Sequence, residues 1–462
     1  MSLNRRNFLT AATATGLAFT SLGRAAGGAY APGAPRPRAT DGLGPLVPDP
    51  EGFFDLPAGF EYRVLSRVGE EMDDGLLVPP RHDGMAAFAG EDGRTVLVRN
   101  HENPPGQGGA FGESNDRLER VPADKLYDVG VEGTACLGGT TTLVYNTETQ
   151  ELEKHWLSLA GTIVNCAGGP TPWGSWISCE EVVLSAEGPL QREHGYCFEV
   201  PAGPEGLVDP VPLVGLGRFR HEAIAVDPLS GCVFLTEDVH DGLFYRFVPS
   251  QPGDLAAGGK LQALRVREAP SLDTRNWHRL TQVPPGEELT VDWVDLDDVE
   301  APLDDLRHRG FLAGAARFTR GEGVWFGGGS IWFTCTSGGE SKLGQIWRYT
   351  PSKYEGDRKE RMHRGTLALF LEPNDGGVLE NCDNLCVAPW GHLVVCEDGG
   401  DDDYLRGVTL DGEVYQLARN AADFGELAGC VFSPDGSTLF VNSQKQGVTL
   451  AVTGPWEKAR DL

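Results

Sequence analysis

This sequence of 462 residues contains no long apolar run, no long stretch with helical periodicity and no pair of cysteines at C-x-x-C spacing. No segment approaches the ~18 consecutive apolar residues of a membrane span, so we expect no transmembrane segment. No amphipathic stretch is long enough to predict a major helix. The ten cysteines include no C-x-x-C pair, and several stand within apolar strands. We therefore expect mostly buried thiols that pack as small apolar side chains.

Basic residues are also scarce, because 39 Lys and Arg face 67 Asp and Glu, which gives a formal net charge of −28. Nucleic acid and anionic membrane surfaces are therefore not expected as partners. The acidic excess serves solubility on one interpretation. On the other, some carboxylates are cation ligands whose charge is offset by bound metal.

The N-terminus is typical of a twin-arginine export signal over residues 1–31. Arg5 and Arg6 precede a weakly apolar stretch that reaches Leu22, and Ala29-Tyr30-Ala31 resembles a cleavage site. The alternative is a basic amphipathic helix of the mature fold. Export predicts a periplasmic or secreted protein that uses the twin-arginine machinery. Substrates of that route cross the membrane folded, which suits a cofactor acquired before export.

Residues 32–50 read as a Pro-rich linker, and residues 51–462 as one domain. The chain contains 62 Gly and 31 Pro, so short strands and turns dominate and the fold class is all-β.

One unit recurs six times: an apolar strand, a tight turn, a second apolar strand and a polar cluster. The copies span 83–102, 166–181, 222–238, 322–336, 383–398 and 426–442, with turns near Gly93, Gly174, Gly231, Gly328, Gly391 and Gly436. Six such hairpins predict a six-bladed β-propeller. Because Cys179, Cys335 and Cys396 recur at one place in the second strand, we interpret them as packing residues.

The two ends of each hairpin lie side by side, so the polar clusters should converge at one mouth of the propeller. Crowded carboxylates in a partly desolvated cleft need cations to remain ionised. Oxygen-rich sites suit Ca²⁺, and a thiolate among carboxylates suits a transition metal. The candidate metal ligands are Glu102, Cys166, Glu181, Glu222, Glu322, Asp383 and Glu426.

Some of these residues have other interpretations. Asp and Asn at strand ends are often turn formers, whereas Glu is not. His101 and His221 adjoin acids and are ligands, general acids or orienting donors.

Several segments resemble the PhoX-type alkaline phosphatases over about residues 50–450. They are Asn100 to Glu102, Gly138 to Thr142, Asn165 to Trp176, Cys179 to Glu181, Gly217 to Glu222, Asp383 to Leu385 and Phe432 to Asn442. The resemblance implies a six-bladed propeller that hydrolyses phosphomonoesters with Fe³⁺ and Ca²⁺ at its mouth. It also implies that Cys166 is the iron-binding thiolate and that the five glutamates are carboxylate ligands. The last unit departs from the family pattern, since Gly425 precedes Glu426 where a cysteine is expected.

Phosphate recognition calls for an arginine near the mouth, and Arg218 or Arg99 is the candidate. We expect Arg218 and Glu426 to be catalytic. A Ca²⁺-dependent lactonase or esterase is the alternative enzyme, because propellers host that chemistry too. A non-catalytic propeller that binds protein or sugar is the third possibility.

Overall fold

The structure is a computed structural model that describes residues 30–131, 136–203, 205–279, 282–400, 402–422 and 425–462. Within these ranges the chain forms 27 strands and two short α-helices, α1 (Leu306–Leu312) and α2 (Glu457–Arg460). The predicted export signal lies outside the described residues except for Tyr30 and Ala31. In the described part of the chain, no helix combines the length and apolarity needed to cross a bilayer.

The N-terminal strands complete sheets that are built mainly from later residues. They are β1 (Arg38–Ala39), β2 (Leu46–Val47), β3 (Phe54–Pro57) and β4 (Glu61–Arg67). The segment interpreted as a Pro-rich linker, 32–50, therefore contributes two short strands to the body: β1 runs parallel to residues 413–414 and β2 pairs with β3. Isolated Pro residues do not prevent such pairing at a sheet edge.

The next strands form two antiparallel units. The first unit is β5 (His82–Ala89), β6 (Arg94–His101), β7 (Gly138–Asn146) and β8 (Glu151–Thr162), and the second is β9 (Asn165–Pro170), β10 (Ser175–Glu180) and β11 (Cys197–Pro201). In both units, each strand pairs with its neighbour in sequence.

Two further units share one nine-stranded sheet. The third unit is β12 (His221–Val226), β13 (Val233–Glu237), β14 (Phe244–Pro249) and β15 (Gly259–Val266). After β16 (Glu288–Asp295), the fourth unit is β17 (Gly321–Gly327), β18 (Ser330–Cys335), β19 (Gln345–Thr350) and β20 (Thr366–Leu371). Strand β16 pairs with both β15 and β20 and so joins the two units at their outer edges.

The last two units recruit the N-terminal strands. The fifth unit is β21 (Cys382–Val387), β22 (Leu393–Glu397), β23 (Tyr404–Val408) and β24 (Glu413–Asn420), to which β3 is added. The sixth unit is β25 (Leu427–Phe432), β26 (Thr438–Ser443) and β27 (Val448–Thr453), and β4 supplies its fourth strand. This pairing links the beginning of the domain to its end.

The first strands of the units contact one another in a closed circle: β5, β9, β12, β17, β21, β25 and again β5. Glycines allow this close approach. A Cβ atom on Gly84 would lie 2.5 Å from Cα of Ala167, and one on Gly429 would lie 2.4 Å from the carbonyl oxygen of Asp83. The arrangement is β-propeller-like, and the apolar core lies between adjacent sheets, as where Phe234 and Phe333 pack with Trp347.

The predicted turns are confirmed. Gly93, Gly174, Gly231, Gly328, Gly391 and Gly436 all lie between the first and second strands of their units, and each has a positive φ between 59° and 96°. These tight turns fix each hairpin, so its open end lies on the opposite side of the ring.

Candidate metal centre

Every first strand carries a β-bulge near its open end. In the first five units, two residues of this strand oppose one residue of the second strand. The first residues of the bulged pairs are Asp83, Cys166, Glu222, Glu322 and Asp383, and all of them except Asp83 are predicted ligands. A bulge re-aims a side chain next to a site. The bulges therefore remove these five residues from the regular alternation of the strand.

A backbone hydrogen bond closes the open end of all six hairpins. The N–H group of the residue just after the second strand donates to the carbonyl oxygen of the residue just before the first strand, at 2.9–3.3 Å. The pairs are Glu102 to Arg81, Glu181 to Val164, Asp238 to Arg220, Thr336 to Arg320, Asp398 to Asn381 and Gln444 to Glu426. This regular pairing positions Glu102, Glu181, Asp238 and Asp398 beside the bulge residues.

The same pairing corrects the sequence alignment of the sixth unit. Glu426 is the counterpart of Arg81 and Arg320, and not of Asp83, since its carbonyl accepts the closing hydrogen bond. Ala428 stands two residues later, where the other units place a ligand candidate. The carboxylate of the sixth unit therefore comes from a residue two positions before the one that carries the ligand candidate in the other units.

Five of the seven predicted ligands lie in two overlapping groups of potential ligand atoms, and the electrostatic interactions of Glu102 and Glu426 connect them to the same cluster. Burial raises the pKa of Glu222 well above its ordinary value, and the charges of Glu181, Asp383 and Asp83 add to this. Burial and the charges of Asp83, Asp383, Asp398 and Glu102 do the same to the pKa of Glu426. Such mutual effects require short distances in a poorly solvated site.

Two groups of potential ligand atoms share Glu222. Cys166, Glu181 and Glu222 form one, and Glu222, Glu322 and Asp383 form the other; within each group the atoms lie within 4.8 Å of one another. The Sγ atom of Cys166 is 3.5 Å from Oε1 of Glu222 and 3.7 Å from Oδ1 of Asp83. One group contains a soft sulfur donor and the other only oxygen.

Among the described residues, the carboxylates of the cluster outnumber the basic side chains that pair with them, which are Arg81 and Arg320. Burial raises the pKa of Asp383 to about 7, and burial with the charges of Asp238 and Asp383 raises the pKa of Glu322 well above its ordinary value. Oε2 of Glu222 is buried with no hydrogen-bond partner among the described residues. A buried, unpaired carboxylate oxygen among other acids is explained by a bound cation. The donor atoms thus fit metal ions.

The neighbouring glutamates point away from the cluster. Glu180 accepts hydrogen bonds from the backbone N–H groups of Ile163 and Gly195 at 3.0 and 2.8 Å. Glu237 and Glu397 hold their own units together in the same way, through Tyr245 and Arg406. Alternation along the strand therefore divides each acidic pair into one anchoring Glu and one acid at the mouth.

Two arginines lie at the cluster that the sequence analysis did not select. Arg320 donates from Nε to Oδ1 of Asp238 at 2.8 Å and lies 2.6 Å from Oε1 of Glu322, with 29% of its side chain exposed. Arg81 lies 3.6 Å from Oε2 of Glu102 and is 43% exposed. Both arginines have a positive φ, and each stands two residues before the acid in the bulge of its unit. Arg220 has the same spacing to Glu222, so the sequence alone did not single out these two arginines.

The predicted phosphate-binding arginines lie elsewhere. Arg218 is buried and donates to the carbonyl oxygens of His194 and Leu184 at 2.9 and 2.8 Å, and it pairs with Glu193. Arg99 is fully buried and donates to Thr141 and Thr449. The hydrogen-bond donors of both arginines are directed to partners inside the protein. This geometry is that of structural residues and differs from the expected contact with phosphate.

The two histidines next to acids are orienting groups rather than members of the cluster. His101 contacts the carbonyl oxygen of Pro80 and the hydroxyl of Thr141, both at 2.9 Å. His221 contacts the carbonyl oxygen of Gly217 at 3.0 Å, and burial lowers its pKa to about 4. Neutral imidazoles fixed by backbone carbonyls hold the strand ends in place.

Comparison with known proteins supports the propeller-like fold. A solved structure of PhoX from Pseudomonas fluorescens, in complex with vanadate, a transition state analogue, is 18% identical and has a TM-score of 0.63; the match covers 87% of this chain and 96% of that one. A gluconolactonase from Xanthomonas campestris is 12% identical, with 89% and 98% covered, and its TM-score of 0.41 is too low to support an argument. No curated protein sequence gives a significant match. The family model described as alkaline phosphatase PhoX matches residues 42–447, and the chain therefore belongs to the PhoX alkaline phosphatase family.

Proposed function

We propose that this alkaline phosphatase is an exported enzyme that hydrolyses phosphomonoesters at a mixed Fe³⁺ and Ca²⁺ centre. The observation that carries the proposal is the pair of ligand groups joined by Glu222, one with the thiol of Cys166 and one with oxygen only. Thiolate selects a transition metal and carboxylates alone suit a hard cation. When bound, these cations would offset the acidic charge and stabilise negative charge on the phosphoryl oxygens.

The chain's own residues would bind and orient the substrate. Arg320 is held by Asp238 and Glu322 and retains partial exposure, so its guanidinium can face a phosphoryl group at the mouth. Arg81 occupies the matching place in the first unit. We propose these two arginines as the phosphate-binding pair, and Arg218 as a support for the segment around His194.

Glu426 keeps its proposed place in the centre. Its pKa is raised by burial and by the charges of four acids from the first and fifth units, so cations or protons must accompany it. Since its backbone position matches that of Arg81 and Arg320, its carboxyl enters the mouth from the level at which those arginines stand. It is suited to bind a cation or to hold a proton near the leaving group.

We infer that the ring has six blades, which the circle of six first strands supports, and that export delivers the protein to the periplasm or beyond. The twin-arginine pattern at Arg5 and Arg6 supports export. The Ca²⁺-dependent lactonase or esterase remains the alternative activity. A site that holds calcium alone has no use for the Cys166 thiol, so this residue favours the phosphatase.

Metal analysis combined with activity tests the proposal. Protein purified without chelators should contain both iron and calcium and should hydrolyse p-nitrophenyl phosphate, and chelators should abolish that activity. Lactone hydrolysis by the metal-replete protein without phosphatase activity would support the alternative. A metal-free, inactive protein that binds a protein or sugar at the mouth would support the third possibility.

A further inference from the structure

A second cluster of metal-binding side chains lies outside the acidic mouth. Asp128 and Cys136 belong to the connection between β6 and β7, and His194 belongs to the connection between β10 and β11. All three are buried, and one ligand atom from each lies within 4.8 Å of the other two. We propose that these three residues form a separate metal site that takes a zinc-like divalent cation.

The distances match tetrahedral zinc. Nε2 of His194 lies 3.3 Å from Oδ2 of Asp128 and 3.8 Å from Sγ of Cys136. Ordinary Zn–N, Zn–O and Zn–S bonds at tetrahedral angles separate nitrogen from oxygen by about 3.4 Å and nitrogen from sulfur by about 3.6 Å. A cation at the centre therefore needs only small movements of the three side chains.

Glu180 gives His194 the orientation of a metal ligand. Oε1 of Glu180 lies 2.7 Å from Nδ1 of His194 and accepts its proton in a hydrogen bond. Metal-binding histidines usually donate their other ring N–H to such a carboxylate, which fixes the tautomer and leaves a lone pair on the binding nitrogen. Here that nitrogen faces the carboxylate of Asp128 and the sulfur of Cys136, the arrangement of three ligands around one cation.

Asp128 is held in a fixed position for the same task. Its Oδ1 accepts from the N–H of Gly130 at 2.7 Å, and its Oδ2 accepts from the N–H groups of Gln191 and Arg192 at 2.8 and 3.0 Å. The carboxylate is thus oriented before any cation arrives.

A proton on Nε2 of His194 is the competing arrangement, because an imidazolium would donate to Glu180 from Nδ1 and to Asp128 from Nε2. A divalent cation would take the place of that proton and of the Cys136 thiol proton, and would bind the thiolate.

The site would tie two connections together beside the acidic mouth. The β6–β7 connection follows Glu102 and the β10–β11 connection follows Glu181, and both acids are candidate ligands at the mouth. Glu180 is adjacent to Glu181, so the backbone that positions His194 also positions an acid of the main centre. The bound cation would have a structural effect on the mouth without contact with substrate.

Metal content of the full chain tests this site independently of phosphatase activity. Wild-type protein purified in the presence of zinc and passed through a desalting column should contain about one zinc ion more than Cys136→Ser. Cys136→Ser should retain its iron, and Cys335→Ser, which changes a buried thiol far from the site, should retain zinc. Asp128→Asn should bind zinc at least about 10-fold more weakly.

X-ray absorption at the zinc edge covers the case in which Cys136→Ser does not fold. The measurement uses Cys166→Ser, so that sulfur cannot come from the acidic mouth. One sulfur at about 2.3 Å with nitrogen or oxygen at about 2.0–2.1 Å is expected. A shell without sulfur, or equal zinc content in wild type and Cys136→Ser, would overturn the proposal and leave His194 as an imidazolium between two carboxylates.

Discussion

The Sγ atom of Cys166 lies 3.5 Å from Oε1 of Glu222, across the boundary between the second and third units of the ring. Other cysteines are packing residues: Cys179, Cys335 and Cys396 are fully buried in second strands. Cys166 instead occupies a bulge, where its sulfur faces carboxylates. Burial and the charges of Asp83 and Glu222 raise its pKa well above the ordinary value, so a cation must bind for the thiolate to form.

Replacement of Cys166 by Ser should remove iron, visible absorption and phosphatase activity together. A ferric thiolate absorbs visible light by charge transfer from sulfur, whereas Ca²⁺ gives no such band. We expect activity to fall at least about 100-fold, because loss of a ligand exceeds the cost of losing its supporting hydrogen bonds. The measurement combines absorption spectra, elemental analysis and kinetics on the same preparation.

Cys335→Ser is the matched control for this change. It places a hydroxyl in a buried strand and should cost roughly 1–3 kcal/mol of stability, while the colour and iron content per folded molecule stay the same. If Cys166→Ser keeps its iron and its rate, Cys166 is another packing thiol and the assignment of the metal centre is wrong.

Arg320→Lys should weaken phosphate binding. Arg320 uses two nitrogens on Asp238 and approaches Glu322, and a lysine cannot reproduce this planar geometry. We expect about a tenfold rise in KM for p-nitrophenyl phosphate and a matching loss of inhibition by inorganic phosphate. Arg218→Lys should lower the melting temperature and leave KM unchanged. If Arg218→Lys raises KM and Arg320→Lys leaves it unchanged, Arg218 is the phosphate ligand instead.

The hairpins and their acids could be predicted from the sequence because each turn and each strand end leaves a local signature. A glycine with a positive φ marks the turn, as at Gly174, and a glutamate after an apolar strand marks the mouth, as at Glu181. The outer strands gave weaker signals. The use of β4 to complete the sixth unit depends on contacts between the two ends of the domain.

The arginines could not be separated by sequence alone. Arg218 and Arg320 each stand near a glutamate at the start of a first strand, and only tertiary contacts send Arg218 to two carbonyl oxygens and Arg320 to two carboxylates. The bulges were also hidden, since one extra residue in a short strand leaves its apolar pattern nearly unchanged. In the sixth unit this concealed the different level of Glu426.

Gly84→Ala should disturb the closure of the ring and the centre with it. The new Cβ would lie 2.5 Å from Cα of Ala167, so β5 and β9 must separate, and Asp83 and Cys166 would move apart. We expect a loss of roughly 1–3 kcal/mol in the free energy of unfolding together with reduced metal content. Gly93→Ala meets no atom within 4 Å at its turn and should lose stability through its positive φ alone, with full metal content.

Removal of metal should reverse the ordinary dependence of stability on pH. In the metal-free protein, burial raises the pKa of Asp383 to about 7 and raises the pKa values of Glu222 and Glu426 well above their ordinary values, against about 4 in an unfolded chain. Between these values the folded state binds more protons than the unfolded state. Stability must therefore fall as pH rises from about 4 to about 7.

Denaturant unfolding of chelated protein at pH 5 and pH 8 measures this effect. The chelated protein should be less stable at pH 8, and added Ca²⁺ with Fe³⁺ should stabilise it most at that pH, because ionised carboxylates bind cations and protonated ones do not. Glu222→Gln removes one charge and a ligand shared by both groups, so it should reduce both the pH dependence and the response to metal. Equal stability of the chelated protein at the two pH values would mean that the acids at the mouth are better solvated than the structure indicates. The case for a cation centre would then rest on Cys166 alone.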